Sequence, residues 1–341
     1  VGIAQQEHHL SIQDTTSQYL GQGWTNCTTF EEEKISIRNQ LTMTSGLDDG
    51  ISDHYCTLDT CLNYLAPAGT RWAYHNGPYT LLDQVIQNAV GQSLNGYTNQ
   101  KIKTPTGMTG LYIPVDYNNI YFSTARSMAR FGLLMLNKGK WDNTTILSDT
   151  SYYQQMINTS QTHNKAYGYL WWLNGKSSFK MPSSQFTFSG SINPSAPNDL
   201  IMALGKNGQF INIVPSQNLV FIRMGNAPGV GEVPSLFNDT IWQHLNDLNC
   251  VINTTKEPNF NDSRLRIFPN PSQGYCTILC ANQSFDYLIL NHLGQVIKQQ
   301  DHCYHQITLN LKQYPRGLYF IQIKTKDQSV FSQKLQLRNE K

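Results

Sequence analysis

A tyrosine and an asparagine two residues apart form the most informative chemical pattern in the chain. Tyr74-His75-Asn76 follows a Pro67-Ala68-Gly69 turn and precedes a long amphipathic stretch, which places the tyrosine on a loop at a helix start. A tyrosine with a pKa of about 10 is seldom deprotonated at neutral pH, but adjacent ammonium groups lower that pKa. Such a phenol can take the proton of a serine hydroxyl, which is otherwise a poor nucleophile. We therefore predict that Tyr74 and Asn76 are catalytic.

The Tyr-x-Asn pattern alone is a weak signal, because it also occurs at Tyr97-Thr98-Asn99 and Tyr117-Asn118-Asn119. Neither copy has the Pro-Ala-Gly turn before it and a long amphipathic helix after it. This context selects Tyr74. His75 is a weaker candidate for substrate contact, since we expect its side chain to point away from the site.

A second candidate segment, Gly205-Lys206-Asn207-Gly208-Gln209, precedes an apolar strand. Glycine lets a substrate approach a strand edge, and a backbone N–H aimed at a developing oxyanion is worth on the order of 3 kcal/mol. The structural alternative is a glycine-bearing hairpin. The Trp171-Trp172 pair could line a substrate cleft or simply pack in the core. The predicted oxyanion and substrate residues are Gly205, Lys206, Gly208 and Gln209.

Helices are expected to dominate the region from 36 to about 160. Ser36 suits an N-cap of a helix ending at Gly46, apolar residues follow the helical period over about 77–90, and Ser123 could cap a third helix. Runs at 200–204, 209–214 and 219–224 predict strands. Pro234 then begins a helix that closes an α/β domain near residue 248. Its predicted apolar face consists of Phe237, Ile241, Leu245 and Leu248.

Composition excludes several classes of protein. The 341 residues suffice for two domains, and the net charge is 25 − 23 = +2 without any long run of like charge. We therefore expect no nucleic-acid partner. The apolar runs at 131–136 and 169–173 fall far short of the ~20 residues that span a bilayer, so we expect no transmembrane segment.

Two of the seven cysteines, Cys56 and Cys61, flank four residues and could close a disulfide loop in an oxidising compartment. Cys276 and Cys280 would lie roughly 13 Å apart on a strand, beyond disulfide reach. One of them could instead pair with Cys303. The cysteines and histidines of this region lack the usual zinc spacing, so we predict no metal and no cofactor.

Several segments resemble the β-lactamase (class C) and penicillin-binding-protein-like superfamily of serine hydrolases over about residues 1–248. The resemblance implies an antiparallel sheet flanked by helices, a helical lobe and a cleft between them. It also implies an acyl-enzyme, with Tyr74 as base or proton relay and Asn76 as ligand of the substrate carbonyl or of a lysine. This resemblance rests on four segments: Leu41-Thr42-Met43-Thr44-Ser45-Gly46-Leu47, Tyr74-His75-Asn76, Ser123-Thr124-Ala125-Arg126-Ser127-Met128-Ala129-Arg130-Phe131-Gly132 and the glycine segment.

The resemblance leaves two registers open in the glycine segment. If residues 206–208 correspond to the K-T-G motif of the family, the N–H of Gln209 is the oxyanion donor. If the family's G-x-x-G-Q motif is the match, the donor is the N–H of Lys206.

The family's nucleophile is the serine of a Ser-x-x-Lys motif on a helix upstream of Tyr-x-Asn. This sequence contains that spacing once, at Ser177-Ser178-Phe179-Lys180, downstream of Tyr74 and in a predicted loop between Gly175 and Pro182. We reject this serine, because a loop fixes no serine–lysine geometry. Since Val1-Gly2-Ile3-Ala4 resembles the helix end that follows the motif, we expect the nucleophilic serine and lysine to be absent by truncation.

Beyond a predicted linker at 249–263, residues 264–341 resemble a type IX secretion C-terminal sorting domain. Short alternating segments there predict a small all-β sandwich. The resemblance implies secretion or surface display via the periplasm and outer membrane, with the secretion machinery as partner. This resemblance rests on three segments: Ile267-Phe268-Pro269-Asn270-Pro271, Asn291-His292-Leu293-Gly294-Gln295-Val296 and Pro315-Arg316-Gly317-Leu318-Tyr319-Phe320.

The predicted function is therefore hydrolysis of an amide or ester through an acyl-enzyme, with this fragment inactive for want of a nucleophile. β-Lactams, short esters, D-amino-acid peptides and oligoamides all fit as substrates. The alternative is a non-catalytic, surface-displayed binding protein that keeps a degenerate hydrolase fold.

Overall fold

The computed structural model of the 341-residue chain describes residues 1–229, 231–248, 265–292, 294–326 and 330–338. The chain divides into two compact units, Val1–Leu248 and Asn249–Lys341. The predicted linker at 249–263 lies outside the described residues. Each unit has a hydrophobic core of its own.

The helices of the first unit are α1 (Gly2–Gln6), α2 (Ser17–Leu20), α3 (Thr29–Glu32), α4 (Ile37–Leu41), α5 (Asn76–Thr80), α6 (Leu82–Val90), α7 (Leu94–Thr98), α8 (Thr104–Thr106), α9 (Ala125–Leu136), α10 (Thr150–Met156) and α11 (Ser235–Asp247). Its strands are β1 (Leu111–Val115), β2 (Asn118–Phe122), β3 (Lys140–Trp141), β4 (Thr144–Thr145), β5 (Trp172–Leu173), β6 (Ser178–Phe179), β7 (Phe188–Ser189), β8 (Ile201–Gly205), β9 (Gln209–Val214) and β10 (Leu219–Arg223). The strands of the second unit are β11 (Leu265–Phe268), β12 (Tyr275–Leu290), β13 (Val296–Asn310), β14 (Gly317–Thr325) and β15 (Val330–Leu337).

An antiparallel sheet forms the centre of the first unit, with its strands in the order β10, β9, β8 and β5. Side chains alternate along β9: Ile211 and Ile213 face one core, whereas Phe210 and Val214 face the other. Helix α9 covers the first face and α11 covers the second. The predicted α/β class and the three predicted strands are confirmed.

Helix α9 lies unusually close to the sheet at Gly132. A Cβ at this position would lie 2.5 Å from Cγ1 of Val220, so a side chain there would clash with β10. The N-cap of α9 is Thr124, whose hydroxyl accepts from the Ser127 N–H. The predicted cap Ser123 instead donates its hydroxyl to a loop carbonyl, and that prediction is wrong.

The stretch predicted as one helix over 77–90 forms two helices, α5 and α6, that meet at Leu81. Gly91 ends α6 with a left-handed φ of 67°, as the sequence indicates. Ser36 caps α4 as predicted. However, α4 ends at Leu41 rather than at Gly46, because Met43 has a φ of 58° that a helix cannot contain.

The face that α11 buries is wider than the predicted one: Phe237, Ile241 and Leu245 pack on the core as predicted, and Asn238 and Trp242 are buried beside them. Leu248 is 64% exposed, whereas Asn238 and Trp242 are almost fully buried. Polar residues can occupy this face because their hydrogen bonds are satisfied by partners on the sheet and on the neighbouring loop. We call this cluster the asparagine network; its members are Asn193, Asn212, Asn238 and Trp242.

In the second unit, β12 pairs with β13 along one edge and with β11 and β14 along the other, and β15 pairs with β14. Register shifts in β12 reverse the alternation, so that Cys276 and Ile278 point inward early in the strand and Phe285 and Tyr287 later. The predicted all-β class is confirmed. Cys303 is a free thiol, so the disulfide with Cys276 or Cys280 that the sequence left possible is not formed.

None of the helices in the described ranges is long and apolar enough to cross a membrane.

Candidate active site

The L-T-M-T-S-G-L segment holds the loop that ends at Tyr74. The N–H of Ala73 donates to the carbonyl of Met43 at 3.0 Å. A Cβ at Gly46 would lie 2.1 Å from the carbonyl oxygen of Ala66, and Gly46 has a φ of +80°. Only glycine therefore allows these two segments to lie side by side, which fixes the backbone leading to the tyrosine.

The ring of Tyr74 is packed among other aromatic side chains. It stacks on Trp172 at a centroid distance of 5.7 Å and meets Tyr167 edge-on at 6.3 Å. Burial raises the pKa of Tyr74 well above its usual value, and Tyr79, Tyr167 and Glu232 raise it further. The phenol is therefore protonated at neutral pH, and a cation would have to approach it before it could accept a proton.

The two residues of the tryptophan pair point to opposite faces of the sheet, as neighbours in a strand do. Trp171 stacks on Phe131 of α9 at 6.3 Å and belongs to the core on that side. Trp172 is 2% exposed, and its ring stacks on the ring of Tyr74. Of the two predicted cleft residues, only Trp172 adjoins the candidate site, as a support for Tyr74.

Asn76 is the first residue of α5 and is almost fully buried. Its Nδ2 lies 3.4 Å from each carboxylate oxygen of Glu232. Glu232 also binds Nε2 of His54 at 2.5 Å. Burial raises the pKa of the Tyr55 phenol, and the neighbouring Glu232 carboxylate raises it further. We call these four residues the Glu232 cluster. Sequence reasoning missed Glu232, which lies in a Gly-Val-Gly-Glu stretch without periodicity and 156 residues from Asn76.

His75 lies between the two predicted catalytic residues in the sequence, but no hydrogen bond joins its ring to either of them. It is 2% exposed, and neither ring nitrogen has a hydrogen-bond partner among the residues that the structure describes. Burial lowers its pKa to about 4, against the opposite effect of Asp49. The ring is therefore neutral at neutral pH.

The glycine segment is a tight turn between β8 and β9, not a strand. Gly205 pairs with Gln209 across it, and Asn207 adopts a left-handed φ of 61° that the turn requires. The segment thus forms the glycine-bearing hairpin that the sequence left as an alternative, between the strands predicted at 200–204 and 209–214, and its role as an oxyanion donor stays a prediction. A Cβ at Gly208 would lie 2.9 Å from the Arg223 guanidinium, which donates to the Gly208 carbonyl.

Lys206 connects this turn to the Glu232 cluster. Its Nζ lies 4.6 Å from the ring centre of Tyr55, a cation–π contact. Since Tyr55 neighbours Glu232 and Asn76 contacts Glu232, the turn and the Tyr-x-Asn motif are linked through two intervening side chains.

The Cys56–Cys61 disulfide is formed as predicted. It closes a loop next to the residues that supply His54 and Tyr55. The His54 carbonyl accepts from the N–H of Gly77 at 2.9 Å, and a Cβ at Gly77 would lie 2.3 Å from the Cys56 carbonyl oxygen. The loop is therefore packed directly on the first turn of α5.

The rejected Ser-x-x-Lys residues have separate partners. Ser177 accepts from Lys165 at 3.0 Å, whereas Lys180 donates to Gln185 at 3.1 Å. The predicted loop is a small hairpin, because β6 within it pairs with β7. Nothing in this hairpin brings Lys180 to the Ser177 hydroxyl.

Comparison with known families accounts for most of the chain. Residues 1–237 match the family described as Beta-lactamase, and residues 266–338 match the Secretion system C-terminal sorting domain. The chain belongs to the β-lactamase family. The sorting domain indicates secretion or display at the cell surface and interaction with the type IX secretion machinery.

Individual relatives are distant. An uncharacterized protein of Alkalihalophilus pseudofirmus is 24% identical over 261 residues, which are 68% of this chain and 71% of that protein. A candidate β-lactamase from Bacteroides dorei DSM 17855 is 17% identical, with a TM-score of 0.51 over 72% of this chain and 80% of the other. A candidate 6-aminohexanoate-dimer hydrolase from Bacillus anthracis is 18% identical, with a TM-score of 0.51 over 72% and 69%. At these identities the solved structures establish the fold of the β-lactamase domain.

Proposed function

We propose that the β-lactamase domain belongs to a serine hydrolase that cleaves an amide or ester through an acyl-enzyme. In this proposal Tyr74 is the proton acceptor or relay and Asn76 a substrate or lysine ligand. A backbone N–H of the turn at Gly205–Gln209 stabilises the oxyanion. β-Lactams, short esters, D-amino-acid peptides and oligoamides remain candidate substrates.

One observation carries the proposal: two motifs far apart in the sequence converge. Asn76 contacts Glu232, Tyr55 neighbours Glu232, and Lys206 of the turn lies against the Tyr55 ring. Acyl transfer needs a base and an oxyanion donor near the same reacting carbonyl, and this convergence supports that arrangement. The family membership of residues 1–237 points to the same chemistry.

The nucleophile is the missing part. The 341 residues hold one Ser-x-x-Lys, whose serine and lysine have separate partners. We propose that these residues alone form no acyl-enzyme. This is consistent with the Tyr74 pKa, because the groups that act on the phenol raise it and no lysine ammonium is among them in the described part of the chain.

The same pKa favours a second candidate function, a surface-displayed binding protein. A phenol that stays protonated can donate a hydrogen bond to a ligand but cannot serve as a base. In this case the half-buried Tyr74 phenol, supported by the buried rings of Tyr167 and Trp172, would contact a bound ligand without turnover.

Labelling with a fluorophosphonate probe, which reacts with activated serines, separates these functions. We expect the full translation product of the gene to be labelled and the 341-residue chain to stay unlabelled. Tyr74→Phe should slow labelling of the full product about 10²-fold to 10⁴-fold, the usual contribution of a general base. Tyr79→Phe is the matched control, since it removes a neighbouring buried phenol.

Absence of labelling of the full product at every pH tested would make the binding protein the better account. Labelling of the 341-residue chain that disappears in Ser177→Ala would show that the rejected serine is the nucleophile after all.

A further inference from the structure

The hairpin formed by β6 and β7 carries three phenylalanine rings in contact with one another. We call residues 177–190 the aromatic hairpin. Phe179 and Phe188 are paired across the strands and stack at a centroid distance of 5.2 Å, and Phe186 meets Phe188 edge-on at 4.8 Å. Phe179 packs against the core, whereas Phe186 is 65% exposed and Phe188 is 37% exposed. Contiguous exposed apolar side chains, unlike scattered ones, commonly mark a binding surface.

A lysine without an acidic partner lies on the same face of the aromatic hairpin. The N–H of Gly190 donates to the Ser177 carbonyl, so the pairing of the two strands extends to Ser177. Residues two apart in an extended strand point to the same side, which places Ser177 next to Phe179 at a distance of about 6–7 Å. The Ser177 hydroxyl accepts from Lys165, whose ammonium has two further hydrogens to donate. Within the described ranges, Lys165 forms no ion pair.

The sequence around the aromatic hairpin carries positive charge only. Between Asp149 and Asp199 the chain contains Lys165, Lys176 and Lys180 but no aspartate or glutamate. A surface of one charge attracts ligands of the opposite charge. Because the lysine and the rings lie on one face, the complementary ligand has a carboxylate about 6–7 Å from an aromatic ring.

The aromatic hairpin is attached to the loop that ends at Tyr74. Gln185, which precedes Phe186, donates from Nε2 to the carbonyl of Trp72 at 3.1 Å. The Trp72 ring lies 6.5 Å from the Tyr74 ring between centroids, and Phe179 packs against the same core cluster as Tyr74. These contacts put the hairpin beside the candidate active site.

We propose that the aromatic hairpin is a subsite for a part of the substrate that carries an aromatic ring and a carboxylate. Phe186 and Phe188 contact the ring, and Lys165 pairs with the carboxylate. This inference names a substrate class for the proposed hydrolase function and rests on it, whereas binding to the hairpin needs no nucleophile. Contacts remote from the reacting carbonyl stabilise the bound substrate and the transition state equally, so they lower KM without raising kcat.

Binding is tested in the 341-residue chain by NMR titration with 4-phenylbutanoate. We expect saturable binding, which Phe186→Ala weakens about threefold to tenfold because an aromatic contact is lost. The neutral analogue 4-phenylbutanamide should bind about twofold to fivefold more weakly than the acid, and Lys165→Gln should remove that difference. Both side chains are exposed, so neither change should unfold the chain.

The matched controls are Phe30→Ala and Lys34→Gln, since these residues form an exposed pair of an aromatic ring and a lysine elsewhere on the domain. Both control variants should bind the acid as wild type does. Absence of saturable binding, equal binding of acid and amide by wild type, or an equal loss in the control variants would overturn the proposal.

The role in catalysis is tested in the full translation product with two 4-nitrophenyl esters. The acyl group of one carries a phenyl ring and a carboxylate, and in the other this carboxylate is amidated. Phe186→Ala should raise KM for both esters about threefold to tenfold with kcat unchanged. Lys165→Gln should raise KM for the carboxylate ester only, by about twofold to fivefold.

Unchanged KM values in both variants would place the ligand outside the path of the substrate and overturn the subsite. A full product that reacts with the fluorophosphonate probe but hydrolyses neither ester would overturn it as well, while leaving the proposed hydrolase function intact. If the probe does not label the full product, the hydrolase function fails, and the titration alone decides whether the aromatic hairpin binds this class of ligand.

Discussion

Buried polar side chains of the β-lactamase domain differ in how completely their hydrogen bonds are satisfied, as the asparagine network and His75 show. In the asparagine network, Asn238 donates to Asn193 and Asn212 at 3.0 Å each, and the Trp242 indole donates to Asn212 at 3.2 Å. At the Tyr-x-Asn motif, by contrast, both nitrogens of the equally buried His75 lack partners among the described residues.

This difference in hydrogen bonding distinguishes the structural core of the domain from its candidate site. A satisfied network inside a low-dielectric core fixes one geometry, which here attaches α11 to the sheet. A buried group without partners costs stability, and such exceptions call for an explanation, for which a functional role is one candidate. The unpaired His75 lies within the family motif, whereas the satisfied network joins α11 to the sheet.

Breaking the asparagine network should have the largest effect on stability. Asn212→Ala removes partners of both Asn238 and Trp242, so we expect the free energy of unfolding to fall by about 3 kcal/mol. Urea unfolding followed by tryptophan fluorescence measures the change. Asn198→Ala, at an exposed position, should change it by less than about 0.5 kcal/mol. Similar values for both variants would contradict the network's structural role.

The unpaired His75 should make the free energy of unfolding depend on pH. The His75 pKa is about 4 in the folded chain and 6.5 in the ordinary state, so the unfolded chain binds a proton first as pH falls. Its contribution to stability is complete above pH 6.5 and is lost as pH falls from 6.5 to 4, by about 3 kcal/mol in all.

Replacing His75 by leucine should remove that pH dependence. As pH falls from 7 to 4, we expect the unfolding free energy of wild type to fall by about 3 kcal/mol more than that of His75→Leu, whatever their offset at pH 7. His244→Asn, which changes an exposed histidine of α11, should follow the wild-type curve. Parallel curves for wild type and His75→Leu would show that His75 titrates normally.

The hydrogen bonds between Ser195 and Asp239, at the edge of the asparagine network, should contribute least to the free energy of unfolding. Ser195 donates its hydroxyl to Asp239 at 3.0 Å, while its N–H makes a second bond to the same carboxylate. Since one bond remains and water can replace the other, Ser195→Ala should lower the free energy of unfolding by no more than about 1 kcal/mol. A loss as large as that of Asn212→Ala would extend the rigid network to the rim.

Local sequence patterns predict the parts of this fold that local forces determine. The capping of α4, the end of α6 at Gly91 and the strands β8, β9 and β10 all follow from period and turn chemistry. The burial of Asn238 on α11 did not follow, because its partners Asn193 and Asn212 lie on distant segments that no local pattern reveals.

The residues of the candidate site were likewise predictable only where a local sequence pattern identifies them. Tyr74 and Asn76 are identifiable because their motif lies on a contiguous loop and helix start. Glu232 is not, since its importance arises only from its contact with Asn76 across 156 residues. The turn at Gly205–Gln209 was ambiguous for a simpler reason: glycines suit both a substrate-binding strand edge and a tight reversal.

The long sequence separation between Asn76 and Glu232 also has a consequence for biogenesis. Contacts between residues far apart in the chain carry a large loop-closure entropy and tend to form late in folding. During synthesis, the pair cannot form until residue 232 has left the ribosome, near the end of the Val1–Leu248 unit. A nascent or partly folded chain can therefore hold the tyrosine loop and helix α5 and still lack the oriented asparagine, so that this contact marks completion of the domain.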